Sequence, residues 1–326
     1  MTKNGRDEFW DISKAILMWL VILGHSIQVM VGEGFFSHPV FKTIYLFHLP
    51  VFFFISGYFA YTSINRRGWK ALGRTTLRLL APIFTFGSLE AIYITYQHSF
   101  SWSAVLNCFI CFWFLWSLFE CQVLGHLILI IAHPLWKFVC LFLPITLCVF
   151  FPKCLPYADY LSFSWPFFAL GMFARFKNFK HETISSNWLW MFFPATAAFF
   201  FFRNDWYIYL CPLRASLASI GIAAFRFAAA VSAGAFFLAL MHQCAAKLRI
   251  AKLGTATLGI YVVQSVFCVI SGCFDYPDFC SQIWFIIFLS LLLYIIAFYV
   301  YQFTRKIPLV GAMAYGDLTS TNRNAK

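Results

Sequence analysis

The first long apolar stretch of the chain carries ionisable side chains that could do chemistry. Its sequence DISKAILMWLVILGHS holds Asp11, Lys14 and His25 among apolar neighbours. Ionisable groups are costly in hydrocarbon surroundings and are therefore functional candidates. On a helix, eleven positions amount to about 1100°, which brings Lys14 and His25 to within roughly 20° of one face and separates them by about 16 Å. A histidine can act as a general base and a lysine can hold a phosphate. Asp11 is close enough to pair with Lys14.

Three further ionisable residues lie in apolar stretches. His48, in FHLPVFFFISGYF, enters from the opposite direction at a depth similar to that of His25, so the two imidazoles can meet. The alternative is that a backbone carbonyl or a serine satisfies His48. Glu90 and Glu120 are either functional carboxylates or hydrogen-bond partners in helix packing, and the sequence leaves both open. We take His25, His48 and Glu120 as the catalytic candidates.

A dense basic cluster follows the second apolar stretch, in NRRGWKALGRTTLRLLAP. Guanidinium groups match phosphate oxygens, which would suit a phosphorylated cytosolic molecule. The alternative is a positive-inside anchor that contacts anionic lipid headgroups, and the spacing alone favours this alternative. The cations of the cluster are Arg66, Arg67, Lys70, Arg74 and Arg78.

The composition indicates what must position these residues. Of 326 residues, 62% are hydrophobic and 11% are charged, too few charges for a soluble domain. Apolar stretches of about 20 residues can cross a bilayer. We therefore predict an all-α, polytopic membrane protein with about ten transmembrane helices and an outer loop or re-entrant segment over 206–226. The predicted spans are 15–32, 43–65, 79–97, 103–131, 138–152, 160–174, 183–202, 227–246, 253–274 and 279–304.

The net charge of +12 is explained by membrane orientation rather than by nucleic acid. With a cytoplasmic N-terminus, 19 of the 24 Lys and Arg residues face the cytoplasm, so both termini are predicted to be cytoplasmic. The first apolar stretch has no cleavage site, so we expect it to be retained as a helix. Apart from Cys108 and Cys111, which start an apolar stretch, the cysteines have no metal-binding spacing. No metal is predicted, although Cys273 and Cys280 could pair across an outer loop.

Taken together, these strings resemble the membrane acyltransferase 3 family, whose members O-acylate extracytoplasmic sugars and other acceptors. The resemblance begins with a basic residue, ten residues and then His, here Lys14 to His25. It covers nearly the whole chain in the same order. The other matching strings are FHLP, FISGY, RLLAP from Arg78, WFL, ALGM and LGTATLGIY.

The resemblance implies a donor, an acceptor and a location. The expected donor is a cytosolic acyl-CoA, most commonly acetyl-CoA, used as a co-substrate with no resident cofactor. The expected acceptor is a glycan or lipid-linked glycan, such as O-antigen or exopolysaccharide. The protein itself is expected to lie in the cytoplasmic (inner) membrane and to contact membrane lipids. One transmembrane domain is expected over 1–315, with a polar tail over 316–326. No hydrolase-like domain follows the last helix, so transfer is expected within the membrane domain.

Residue roles are implied in the same way. Donor binding falls to Lys14, Arg78, Arg74, Arg66 and Arg67. Asp11 and Tyr261 have supporting roles. The family's late helix often has a His where this chain has Gln264, and Arg74 and Arg78 are four apart rather than three. Arg78, which is followed by Leu-Leu-Ala-Pro, therefore matches the family's motif better than Arg74 does.

Two mechanisms and one rival function remain open. His25 would take the proton of a sugar hydroxyl as its oxygen attacks the thioester, or would carry the acyl group covalently. The rival is a proton-coupled transporter or flippase that uses the same intramembrane polar residues.

Overall fold

The structure is a computed structural model that describes residues 7–97, 100–131, 137–151, 157–271, 274 and 276–317, with the backbone alone at 131 and 137–141. These residues form helices and turns without a strand. Several residues of the orientation argument and one cysteine of the possible disulfide lie outside the described part: Lys3, Arg6, Lys153, Cys273, Arg323 and Lys326. The helices are α1 (Glu8–Val31), α2 (Pro39–Arg67), α3 (Trp69–Gln97), α4 (Trp102–Ile110), α5 (Trp113–Ile131), α6 (Lys137–Phe150), α7 (Ala158–Phe176), α8 (Phe192–Phe201), α9 (Leu217–Cys244), α10 (Ala251–Thr255), α11 (Thr257–Ser271), α12 (Ile283–Thr304) and α13 (Pro308–Tyr315).

The all-helical membrane architecture is confirmed at a coarse level. Six of the described helices, α1, α2, α3, α5, α9 and α12, are long and apolar enough to cross a membrane, and α11 is a shorter apolar helix. The number of ten spans and the orientation of the termini stay predictions.

Two predicted spans are divided in the structure. Within the stretch 103–131, one helix ends at Ile110 and another begins at Trp113. The indole of Trp116 donates to the Phe109 carbonyl at 3.1 Å, and the Cys111 thiol donates to the Cys108 carbonyl. Side-chain donors therefore satisfy carbonyls that the interruption leaves without helical partners. The stretch 253–274 is likewise divided into α10 and α11, and 183–202 contains only the ten-residue α8 after a 3₁₀ segment.

The segment 206–226, predicted to be an outer loop or a re-entrant segment, is the start of a long helix in its second half, so an outer loop over the whole segment is wrong. α9 begins at Leu217, where the side chain of Ser216 caps the helix by accepting from Ser219 N–H. Arg226, which the sequence suggested as an interruption, lies inside this helix and is buried. Its guanidinium donates to the carbonyls of Trp206 at 3.2 Å and Cys211 at 2.9 Å. These bonds compensate for burying the charge and let the helix continue through it.

Glycines bring α2 and α7 into backbone contact. A Cβ atom at Gly57 would lie 1.9 Å from the Phe168 carbonyl oxygen, and one at Gly171 would lie 2.0 Å from the Phe54 carbonyl oxygen. Only residues without a side chain allow this approach. The strings FISGY and ALGM therefore meet at one helix crossing.

The first helix lies in the interior of the bundle. α1 packs against α2, α10, α11 and α12. The Tyr294 hydroxyl donates to the Ala15 carbonyl at 2.9 Å, and the Trp19 indole donates to Ser290 Oγ at 3.1 Å. These bonds join α12 to the face of α1 away from the cavities described below.

At the other end of the chain, Gly316 and Asp317 still contact the helical body through the cap of α13 and an ion pair to Arg305.

Candidate functional site

His25 has a specific partner on a distant helix. Its ring nitrogen Nδ1 lies 3.1 Å from Gln264 Oε1 and 3.0 Å from Gln264 Nε2. Gln264 projects from α11 and is 1% exposed. The bond therefore joins α1 to α11 through two residues that are 239 positions apart in sequence, and it fixes the plane of the imidazole.

His48 is held mainly by its own helix. Its Nδ1 lies 2.7 Å from the Ile44 carbonyl oxygen, one turn earlier in α2. This contact is the alternative that the sequence left open for His48, in which a backbone carbonyl satisfies the imidazole. The ring of Tyr45 packs edge-on against the imidazole at 4.6 Å between centroids. His48 is nevertheless one of the side chains that border the same cavity as His25.

A cavity of about 340 Å³, which we call the inner cavity, connects the two predicted ends of the site. Arg78, Lys14, His25 and His48 all border it. Tyr261 of α11 also borders it. Five residues singled out from the sequence are thus brought together by α1, α2, α3 and α11. The remaining walls are largely aromatic and aliphatic.

A second cavity, about 900 Å³ and more polar, adjoins the first, and we call it the vestibule. Lys14, Ser56 and Thr75 border both cavities. Asp11 and Arg66 are also in its wall. Lys14 therefore stands at the junction between a polar opening and a narrower interior.

Lys14 and Asp11 form the ion pair that their spacing suggested. Lys14 Nζ lies 2.7 Å from Asp11 Oδ1, and the Asp11 side chain is almost completely buried. Asp7 at the vestibule is engaged by His181 at 2.8 Å. The carboxylates of the vestibule thus have basic partners.

The arginines that border the vestibule or the inner cavity are Arg66, Arg78 and Arg175. Within the described residues, no carboxylate lies at ion-pair distance from Arg66, Arg78 or Arg175. Arg175, at the end of α7, donates to Thr62 Oγ1 at 2.9 Å and to the Tyr58 hydroxyl at 3.1 Å. The two cavities therefore carry uncompensated positive charge, which suits an anionic ligand.

Other predicted residues lie away from these cavities. Arg67 and Arg74 are exposed and border neither one. Glu120 also borders neither, and its buried Oε2 has no hydrogen-bond partner among the described residues. Glu90 is buried and accepts from the Cys111 thiol at 3.4 Å. The structure therefore does not bring Glu120 together with His25.

An aromatic group surrounds the end of the inner cavity near His48. Tyr209, from the non-helical segment 207–216, borders the cavity beside Trp113. Their rings meet edge to face at 5.6 Å, and Trp113 also stacks on Tyr160 at 4.5 Å. A neighbouring ion pair joins this segment to α7, because Arg214 donates to both carboxylate oxygens of Asp159. The hydrogen bond to Asp159 raises the pKa of Arg214.

Sequence reasoning missed several residues of this site. Gln264 was noticed only as a departure from a family pattern, although it holds His25. Arg175 was counted only among cytoplasmic charges. Thr75 lies within the basic cluster and gave no separate signal, and Tyr209 lies in a segment expected to be a loop. None of these four has a spacing relation to Lys14 or His25, so only the fold could reveal their proximity.

Comparison with known proteins identifies the family. A family model described as an acyltransferase domain matches residues 7–302. The nodulation protein NolL of Mesorhizobium japonicum is 27% identical over 295 residues, covering 80% of this chain and 76% of the relative. The nodulation protein NolL of Sinorhizobium fredii is 30% identical over 289 residues, covering 80% and 78%. No solved structure matches significantly. This chain therefore belongs to the acyltransferase 3 family and is a multi-pass membrane acyltransferase.

Proposed function

We propose that the protein transfers an acyl group, most simply acetyl, from cytosolic acyl-CoA to a hydroxyl group of an extracytoplasmic glycan or lipid-linked glycan. The inner membrane of a bacterium is the corresponding location. The observation that carries this proposal is that one cavity is bordered by Lys14 and Arg78 and also by His25. A single continuous space can thus hold a phosphorylated carrier and expose its acyl group to a base.

The donor would enter through the vestibule. Its phosphates would be bound by Arg66 and Arg175, which have no carboxylate partner among the described residues, and by Arg78 farther in. Guanidinium groups bind phosphate oxygens through two parallel hydrogen bonds. Lys14 is placed where the vestibule meets the inner cavity, so it would contact the part of the carrier that enters the membrane. Arg67 and Arg74, which are exposed outside both cavities, are better placed to contact anionic lipid headgroups.

His25 would act as the general base. Its imidazole takes the proton of the acceptor hydroxyl while that oxygen attacks the thioester carbon. The C–S bond then breaks, and the leaving thiolate of CoA takes the proton from the imidazolium. The products are an O-acyl ester and CoA with its free thiol. In the alternative route, the imidazole itself is acylated first and the hydroxyl then attacks the acyl-histidine.

The acceptor would approach the opposite end of the cavity. Trp113, Tyr209 and Tyr45 border that end, and aromatic rings combine apolar faces with polar groups that suit a sugar. His48 would help to orient the acceptor hydroxyl there. Glu120 has no contact with the cavity and is left out of the proposed mechanism.

Labelled acetyl-CoA added to membranes from the native host tests the proposal. Wild-type protein should pass the label to a glycan fraction, and His25→Ala should abolish that transfer while the protein stays folded in the membrane. His38→Ala is the matched control, because His38 lies between α1 and α2 and borders neither cavity. Substantial transfer by His25→Ala would contradict the assignment of the base. Label that reaches no acceptor with the wild-type protein would contradict the proposed substrates.

A further inference from the structure

We infer that Gln264 is a positioning residue that holds His25 in the tautomer with its proton on Nδ1, so that Nε2 is the atom that receives the acceptor's proton. The inference rests on the proposed function, because it assumes that His25 is the base.

The contact is well placed for such a role. The Gln264 amide lies within 3.1 Å of Nδ1, so this ring nitrogen is already engaged. No side chain of the described residues forms a hydrogen bond with the other ring nitrogen, and His25 borders the inner cavity. The imidazole thus has one nitrogen fixed by the protein and one available to a substrate.

The orientation of the amide decides which form of the ring is present. If Gln264 Oε1 accepts from Nδ1–H, Nε2 keeps a free lone pair and can act as a base. If the amide nitrogen donates to Nδ1 instead, the ring proton lies on Nε2 and the base is lost. The carbonyl oxygen has two lone pairs, and the Cys268 thiol donates to it at 3.3 Å. It can therefore accept from Cys268 and His25 together, which is compatible with the active tautomer.

A neutral partner also affects how the proton is released. A carboxylate at this position would stabilise the imidazolium that forms during the reaction, as in triads built on aspartate. An amide orients the ring without adding charge to a buried site. The imidazolium then returns its proton more readily to the leaving thiolate, which suits a reaction that needs the proton only briefly.

Three variants separate this role from packing. Gln264→Leu keeps the approximate volume but has no acceptor, Gln264→Glu keeps an acceptor oxygen, and Cys268→Ala removes the neighbouring thiol only. One neutral hydrogen bond contributes about 1 kcal/mol, so Gln264→Leu should lower kcat roughly 5- to 10-fold with an unchanged KM for acetyl-CoA. Gln264→Glu should retain more activity than Gln264→Leu. Its pH–rate profile should move to higher pH, because the added carboxylate favours the imidazolium and the base must be neutral to act.

A direct readout uses ¹⁵N chemical shifts of protein labelled at histidine in lipid nanodiscs, with His25→Ala to assign the signal. Wild type and Cys268→Ala should show the proton on Nδ1, and Gln264→Leu should show a mixture of tautomers. A wild-type signal with the proton on Nε2 would overturn the inference, as would a Gln264→Leu variant with the wild-type kcat and tautomer. If Gln264→Leu does not fold, the pH profile of Gln264→Glu decides, and an unshifted profile overturns the inference. Retained transfer in His25→Ala would instead contradict the proposed function itself.

Discussion

Replacing Gly254 with alanine should displace the first helix and remove most of the activity. Gly254 lies in α10, within the string LGTATLGIY, and borders the inner cavity. Its backbone packs directly on α1 at Asp11, the partner of Lys14. This crossing therefore determines where the junction between the vestibule and the inner cavity lies.

The expected displacement follows from the contact distances. An added Cβ would lie 1.6 Å from the Asp11 carbonyl oxygen, whereas Cβ contacts are essentially never under 3.0 Å. The two backbones would have to separate by at least 1.4 Å, and neither atom belongs to a flexible side chain. Overpacking of this kind costs about 1–3 kcal/mol of stability. A misplacement of about 1 Å at an active site can lower the rate by roughly 100-fold.

The assay compares transfer of labelled acetyl and the unfolding temperature of the purified protein. Gly254→Ala should lower both. Gly221→Ala is the control, since the position is inside α9 and, among the described residues outside its own helical turn, no atom lies within 4 Å of its added Cβ. This control should be neutral or stabilising by about 0.5–1 kcal/mol, as alanine favours the helix. Wild-type activity and stability in Gly254→Ala would refute the close packing of α1 on α10.

Two further predictions concern the two ends of the cavity. Arg78→Gln should raise the KM for acetyl-CoA by about 10- to 100-fold, because hydrogen bonds to charged groups contribute about 1.5–3 kcal/mol. The control is Arg74→Gln, outside both cavities, which should change this KM less than about twofold. Equal effects of the two variants would contradict the proposed path of the donor. Asp159→Asn should raise the KM for the glycan acceptor without changing that for acetyl-CoA, because it weakens the attachment of the segment that carries Tyr209. The exposed local pair of Arg203 with Asp205 supplies the control, and Asp205→Asn should leave both constants unchanged.

The sequence predicted the helical class and one helix face well, because these depend on local periodicity. Lys14 and His25 share a helix, so their separation and common direction follow from 3.6 residues per turn. The Asp11–Lys14 pair follows from the same geometry. Arg78 was selected by the motif around it and borders the inner cavity.

Helix boundaries and long-range partners were less predictable. Arg226 suggested a loop because an isolated charge is costly in a membrane helix, but carbonyls from a distant segment satisfy it. Glu120 was selected by its position along the helix, and the structure does not place it at either cavity, since position along one helix does not determine which neighbours a side chain contacts. Gln264 became important only when α11 was packed against α1. Each of these cases depends on contacts between elements far apart in the chain.

Because Lys14 and His25 lie on one helix, the distance between the cation and the imidazole along that helix is fixed. Along α1 the separation of Lys14 and His25 is set by helix geometry at about 16 Å and cannot change without unfolding a turn. α1 is buried among α2, α10, α11 and α12, and Gln264 fixes the imidazole at one end as Asp11 pairs with the cation at the other. A donor held at the junction by its charged part must therefore span a fixed length before its thioester meets the base. A thin, extended arm between the phosphates and the acyl group meets that requirement, and a compact activated donor would leave its acyl group short of His25.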